Sequence, residues 1–219
     1  MPDVLCTAKW MVSSVTDLHR ALAEIHSIRG QIARSAEFRG YGPATLAVTG
    51  LLALVAASVQ SYRFNDPAHE IRSYLAIWVV TAGLSLMIII IEALFRAPRV
   101  HSGLAMEMIH SALEQFIPAI VAGLLLTVVL FKCAQETLWT LPGLWQVLFS
   151  LGVFSSCRVL PRPMFAVGLW YLATGLSCLA FGGGDLAFSP WLMGIPFGVG
   201  QLLVALILQF EYAQADEEA

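Results

Sequence analysis

Charge is what this sequence has least of. Asp, Glu, Lys and Arg together make up 12% of its 219 residues, where a soluble domain carries about 25%. So few charges cannot cover a water-facing surface, and a conventional soluble fold is excluded. A basic field is missing too: 12 Lys and Arg stand against 15 Asp and Glu, for a net charge of −3, so nothing here recruits nucleic acid. The four cysteines (Cys6, Cys133, Cys157, Cys178) have neither CxxC spacing nor a pairing pattern. They exclude a disulfide scaffold and read as unpaired thiols. Residues 1–12 contain Asp3 and lack the seven-residue apolar core of a cleavable signal peptide, so membrane insertion must depend on internal segments.

What is present is apolar: 58% of the residues. A bilayer core of about 30 Å needs about 20 helical residues at about 1.5 Å each. Six segments approach that length, at 43–60, 73–91, 112–131, 138–157, 164–181 and 191–210. They are continuous apolar runs without the period-two alternation of barrel strands, so the expected fold is all-α, a polytopic integral membrane helical bundle of six transmembrane helices. Turn chemistry separates the runs, with Asn65-Asp66-Pro67, Pro98, Pro161-Arg162-Pro163 and Gly182-Gly183-Gly184 in the connections. These links are short, so consecutive helices are expected to pack as neighbours.

Orientation follows from the basic residues. Lys9, Arg20, Arg29, Arg34, Arg39, Arg96, Arg99, Arg158 and Arg162 fall on one side, and only Arg63, Arg72 and Lys132 on the other. That bias places both termini in the cytoplasm of a bacterial-type inner, plasma membrane. Tyr62, Tyr74, Trp139 and Trp191 then mark the outer boundary, with Tyr41 and Tyr212 at the inner one. The domain plan is a cytoplasmic segment 1–41, a transmembrane domain 42–211 and an acidic cytoplasmic tail 212–219.

Within the first segment, residues 14–38 read as an amphipathic helix. Ser14 and Asp17 have capping-box spacing, and Val15, Leu18, Leu22, Ile25 and Ile32 form an apolar seam that Arg29 interrupts. About 40 residues cannot hold a core of their own, so this helix lies on the membrane surface, docks on a partner or pairs with a copy of itself. His19 and His26 share a flank, but no further ligand joins them.

The third span carries the main polar feature. Glu107, His110, Ser111, Glu114 and Gln115 lie on one face of a helix, opposite Leu104, Met108, Ala112 and Leu113. The following apolar run, Phe116 to Phe131, spans only about 24 Å, so Ala112 to Gln115 are drawn into the membrane. Glu114 there must face protein or a wet cavity, and is expected to point into the bundle toward a polar cavity open to the cytoplasm. Three readings are open: a wetted cytoplasmic extension bent at Pro118, the mouth of a polar transport path, or a fragment of a metal site. The last is poorly supported, since carboxylate-bridged bundles need two Glu-x-x-His motifs and this chain has one, at Glu107 and His110. No metal or cofactor is therefore expected.

In the sixth span, Gly194, Gly198, Gln201 and Ala205 form a stripe of small and polar groups. Gly194-x-x-x-Gly198 permits close helix packing, and Pro196 removes a backbone hydrogen bond. Trp145 and Trp170, inside their spans, read as core filler. Prolines recur at comparable places in the two three-span halves (Pro43 and Pro142, Pro118 and Pro196), as in inverted-repeat transporters, without a residue-level repeat. Catalytic signatures fail: His69-Glu70 has no second zincin His, and Gly175-Leu176-Ser177-Cys178-Leu179 lacks the closing Gly of a nucleophile elbow.

The sequence thus points to a permease, permease subunit or channel-like bundle that handles a small solute. Glu107, His110, Glu114 and Gln201 are the polar contacts expected, with Pro118 and Pro196 as helix breaks. The alternative is a non-catalytic regulatory or scaffold subunit acting through its N-terminal helix, and a membrane-embedded enzyme is a third. The partners expected are the lipid bilayer and another copy or another membrane subunit, met through 14–38 or through Gly194 and Gly198.

Overall fold

The computed structural model describes residues 42–63, 71–96, 103–157, 160, 162–183 and 188–217. The amphipathic segment 14–38 lies outside the described residues. All regular structure described is helical: α1 (Pro43–Arg63), α2 (Ile71–Arg96), α3 (Gly103–Cys133), α4 (Leu141–Ser156), α5 (Met164–Phe181) and α6 (Trp191–Glu217), all within the compact unit Phe38–Ala219. Each supplies a stretch of 18 to 25 residues long and apolar enough to cross a membrane, α4 only together with the 3-10 turn Gln135–Thr140 before it. Helices α1, α2, α3 and α6 outrun their apolar runs, and α6 continues through residue 217 into the acidic tail.

The fourth span differs from the helix expected from Leu138. An α-helix starting there would need the N–H of residue 142 to reach the Leu138 carbonyl, and residue 142 is proline. The carbonyl is instead taken by the Leu141 N–H in a 3-10 turn, and the α-helix begins at Leu141 with Pro142 in its first turn.

Helix neighbours run α2, α1, α6, α5, α4, α3, with α1 packed along α6 and α4 along α5. The expected pairing of consecutive helices therefore fails once: α2 and α3 do not form a packed pair. The cause is where small residues fall. Apolar side chains gain nothing by leaving lipid for protein, so helices associate where small residues let backbones approach. Gly143 of α4 and Gly175 of α5 sit so close that a Cβ on either would stand 2.9 Å from the other's carbonyl oxygen. Gly194 of α6 rests on Ala57 of α1, and a Cβ on Gly50 of α1 would stand 3.0 Å from the Gly198 carbonyl. Gly83 of α2, by contrast, faces open space. On α2, residues Ala82 to Phe95 include none that is buried, and Val80, Leu84, Met87 and Ile91 are exposed. On α3, Val121, Leu124, Leu125 and Val128 are exposed as well. Such faces suit lipid and not water, so this is a membrane-embedded protein.

Two buried clusters hold the bundle. At the far end, where α1 finishes and α6 starts, Ala53, Ala57, Tyr74, Leu75, Trp78, Leu138, Leu141, Phe188 and Met193 pack together. At the near end, where α1 starts and α6 finishes, Leu46, Val153, Met164, Val167, Tyr171, Ala205 and Leu208 do so. An aromatic ladder crosses from α3 to α6 through Phe116, Phe149, Tyr171 and Phe197, with ring centroids 4.6–5.3 Å apart.

Candidate functional site: buried amides in an apolar bundle

Helix α3, which carries the polar stripe, and α6, which carries Gln201, are not packed as a pair. Helix α3 packs on α4, while α6 lies between α1 and α5. Glu114 is exposed at the start of the apolar stretch Glu114–Cys133. Glu107 and His110 lie on the α3 backbone, their side chains outside the described residues. Gln201 is half-buried, its Cβ against Gly50 of α1 and its side chain beside the Tyr171 hydroxyl, short of hydrogen-bond geometry. Gly194 and Gly198 lie against Ala57 and Leu54 of α1. Helices α3 and α6 both run uninterrupted through Pro118 and Pro196, so neither proline breaks its helix; each removes one rung of its ladder.

One of those missing rungs is filled from a neighbouring helix, and further interhelical bonds lie near both prolines. Without an N–H at Pro196, the Leu192 carbonyl loses its helical donor, and Gln146 Nε2 of α4 donates to it at 2.8 Å. The Pro196 carbonyl in turn accepts from Trp170 Nε1 of α5 at 3.0 Å. Near Pro118, the Gln115 carbonyl accepts from Ser155 Oγ of α4 at 3.1 Å. Trp145 Nε1 donates to Thr127 Oγ1 of α3 at 2.9 Å, and that hydroxyl donates to the Gly123 carbonyl at 2.7 Å. Trp145 and Trp170 are thus interhelical donors rather than mere filler.

Buried serine and threonine hydroxyls settle their needs locally. Thr49, Thr81 and Ser150 each donate to a carbonyl three or four residues back on their own helix, at 2.7–2.8 Å. Two buried amides make no such local bond. Gln60 of α1 is 0% exposed, and neither its Oε1 nor its Nε2 has a hydrogen-bond partner among the described residues. Gln146, also 0% exposed, spends its nitrogen on Leu192 and leaves Oε1 unmet. Tyr74 and Trp78 of α2 are buried side by side, with the Tyr74 hydroxyl beside the Trp78 N–H but short of hydrogen-bond geometry. An unmet buried polar group costs about 1–3 kcal/mol, and lipid offers no water to relieve it.

These groups surround the far-end cluster. Ala57, one turn before Gln60, packs there with Tyr74, Trp78 and Met193, and Gln146 Nε2 lies 3.9 Å from the Met193 sulfur. Sequence reading misses Gln60 and Gln146, although the rule that singles out Gln201, an amide inside an apolar run, applies equally to Gln146. Gln60 stands at the edge of its run, where it reads as a boundary residue. Glu92 of α2 escapes in the same way: it is half-buried within Ile71–Phe95, a stretch whose apolar run ends at Ile91 in the sequence.

The side chains of this group are uncharged at neutral pH, so the site offers hydrogen bonds and no ionic attraction. Among the described residues, no three His, Cys, Asp or Glu side chains gather as metal ligands. No family model, curated protein or solved structure matches the chain.

Proposed function

We propose that this chain is a multi-pass inner-membrane protein, both termini cytoplasmic, that handles a small solute as a permease, permease subunit or channel-like bundle. The observation that carries this reading is Gln60: a primary amide wholly buried in an apolar bundle, with neither end paired among the described residues. Polar groups at membrane depth are costly and cluster on solute paths. Gln146, Tyr74 and Trp78 add to it from neighbouring helices. The orientation rests on the distribution of Lys and Arg. The reading is tested by reconstituting the full chain in liposomes and measuring uptake against a panel of neutral, cationic and anionic small solutes. Uptake above protein-free liposomes that Gln60→Leu abolishes supports it; no uptake of any solute sinks it.

A second reading is favoured by Glu114. Its exposure, and the packing of α3 on α4 rather than on α6, speak against a polar path between α3 and α6. In that reading the protein is a non-catalytic regulatory or scaffold subunit that acts through residues 14–38. Glu114→Gln separates the two uses of the stripe: unchanged uptake removes Glu114 from any solute path, while lost uptake with the fold intact returns it to one.

A further inference from the structure

Helices α2 and α3 do not form a packed pair, yet a side chain bridges them at the far end of the bundle. The Arg72 guanidinium of α2 stands over the Phe131 ring of α3, 5.7 Å from its centroid, within reach of a cation–π contact. Lys132 follows Phe131 in the chain, and both basic residues are exposed. Neither is ion-paired among the described residues. Arg72 is the second residue of the apolar stretch Ile71–Phe95, and Lys132 is the last but one of Glu114–Cys133. Both charges therefore sit at one membrane boundary, at headgroup level.

Beneath the bridge, both helices present apolar faces that no other helix covers. Arg72 shares its face of α2 with Ala76, Val79 and Gly83, all exposed, and a Cβ on Gly83 would meet nothing within 4 Å. Phe131 shares its face of α3 with Leu124 and Val128, also exposed. A charge at the boundary above two apolar faces matches a lipid better than a soluble anion. We propose that Arg72 and Lys132 bind the headgroup phosphate of one anionic phospholipid, whose acyl chains lie along these faces of α2 and α3. The Phe131 ring holds the guanidinium without neutralising it, so its charge and N–H fork stay available to phosphate. The choline of a zwitterionic lipid would bring a third cation to the pair; an anionic headgroup brings none.

The test uses the full chain in detergent micelles and counts bound lipid by native mass spectrometry. Phosphatidylglycerol and phosphatidylcholine with the same acyl chains are the probes. The protein should retain one phosphatidylglycerol at concentrations where phosphatidylcholine is lost. Arg72→Gln and Lys132→Gln should each weaken that retention about fivefold. Arg72→Lys keeps the charge and loses only the fork, so it should weaken retention less. Both positions are exposed, so the unfolding midpoint without added lipid should stay where it is in all three variants. Neither inorganic phosphate nor glycerophosphoglycerol, the headgroup without its chains, should displace the lipid. Equal retention of phosphatidylcholine, or full retention of phosphatidylglycerol by both Gln variants, overturns the site. Displacement by inorganic phosphate would mark an anion site that needs no acyl chains, and overturns the lipid assignment. A dimer mass in place of the lipid adduct gives the two faces to a second copy, and overturns it as well.

Discussion

Gln146 Nε2 donates at 2.8 Å to the Leu192 carbonyl, the acceptor that Pro196 leaves without its helical N–H. A side chain on α4 thus completes the backbone of α6, and the gap and its filler lie 50 residues apart in the chain. This relationship makes the two positions one unit energetically.

A double-mutant cycle should expose that unit. Gln146→Leu leaves the Leu192 carbonyl unmet and should cost about 1–3 kcal/mol. In a Pro196→Ala background the helix supplies its own N–H, and the same substitution should cost less than about 0.5 kcal/mol. Unfolding by SDS in mixed micelles measures both. Equal costs in the two backgrounds would refute the role assigned to Gln146.

The bond from Trp145 to Thr127 ties α3 to α4. Trp145→Phe and Thr127→Val should each weaken that tie, with a coupling of about 0.6 kcal/mol, typical of interhelical hydrogen bonds in membranes. The double variant should be no worse than the poorer single one. Additive losses would show that the bond carries nothing.

Two glycines should behave oppositely. Gly175→Val drives a side chain into the Gly143 carbonyl and should cost more than about 2 kcal/mol, through forced separation of α4 and α5. Gly83→Ala meets nothing within 4 Å and should be neutral or stabilising by up to about 1 kcal/mol, from helix propensity alone. Thermal midpoints in detergent decide. A destabilised Gly83→Ala would mean that α2 has a neighbour at that face.

Thiol labelling reads the two ends of the bundle. Cys133 is exposed at the end of α3 and Cys178 is buried in α5. In single-cysteine variants, maleimide should modify Cys133 readily and Cys178 only after denaturation. With both termini cytoplasmic, an impermeant maleimide should reach Cys133 from outside intact cells and fail to reach the thiol of a Gln214→Cys variant. The reverse pattern would invert the topology.

Six spans were legible because a run of about 20 apolar residues has few other uses. Which helices pair was not legible. Hydrophobic periodicity says which face of a helix avoids water, and in lipid no face needs to. Gly83 and Gly143 look alike in the sequence, yet one faces open space and the other seats α5. The candidate site was half legible for a related reason. A charge such as Glu114 announces its cost in any window, while an uncharged amide such as Gln146 is hidden by the apolar residues around it. Pro196 is recognisable as a gap in a helix, but the sequence carries no sign that a residue 50 positions earlier fills it.

The pairing of α1 with α6 also bears on how the protein is made. The seam of α1 that holds Gly50 and Ala57 finds its partner only when Gly194 and Gly198 have been synthesised, roughly 150 residues later. At about 5–20 residues per second this is a wait of roughly 7–30 s. Through that interval the first helix stays in the bilayer with its small-residue face against lipid. A chain that stops short of Trp191 never covers it, and so presents the same uncovered groove to any membrane protease or chaperone that surveys nascent helices.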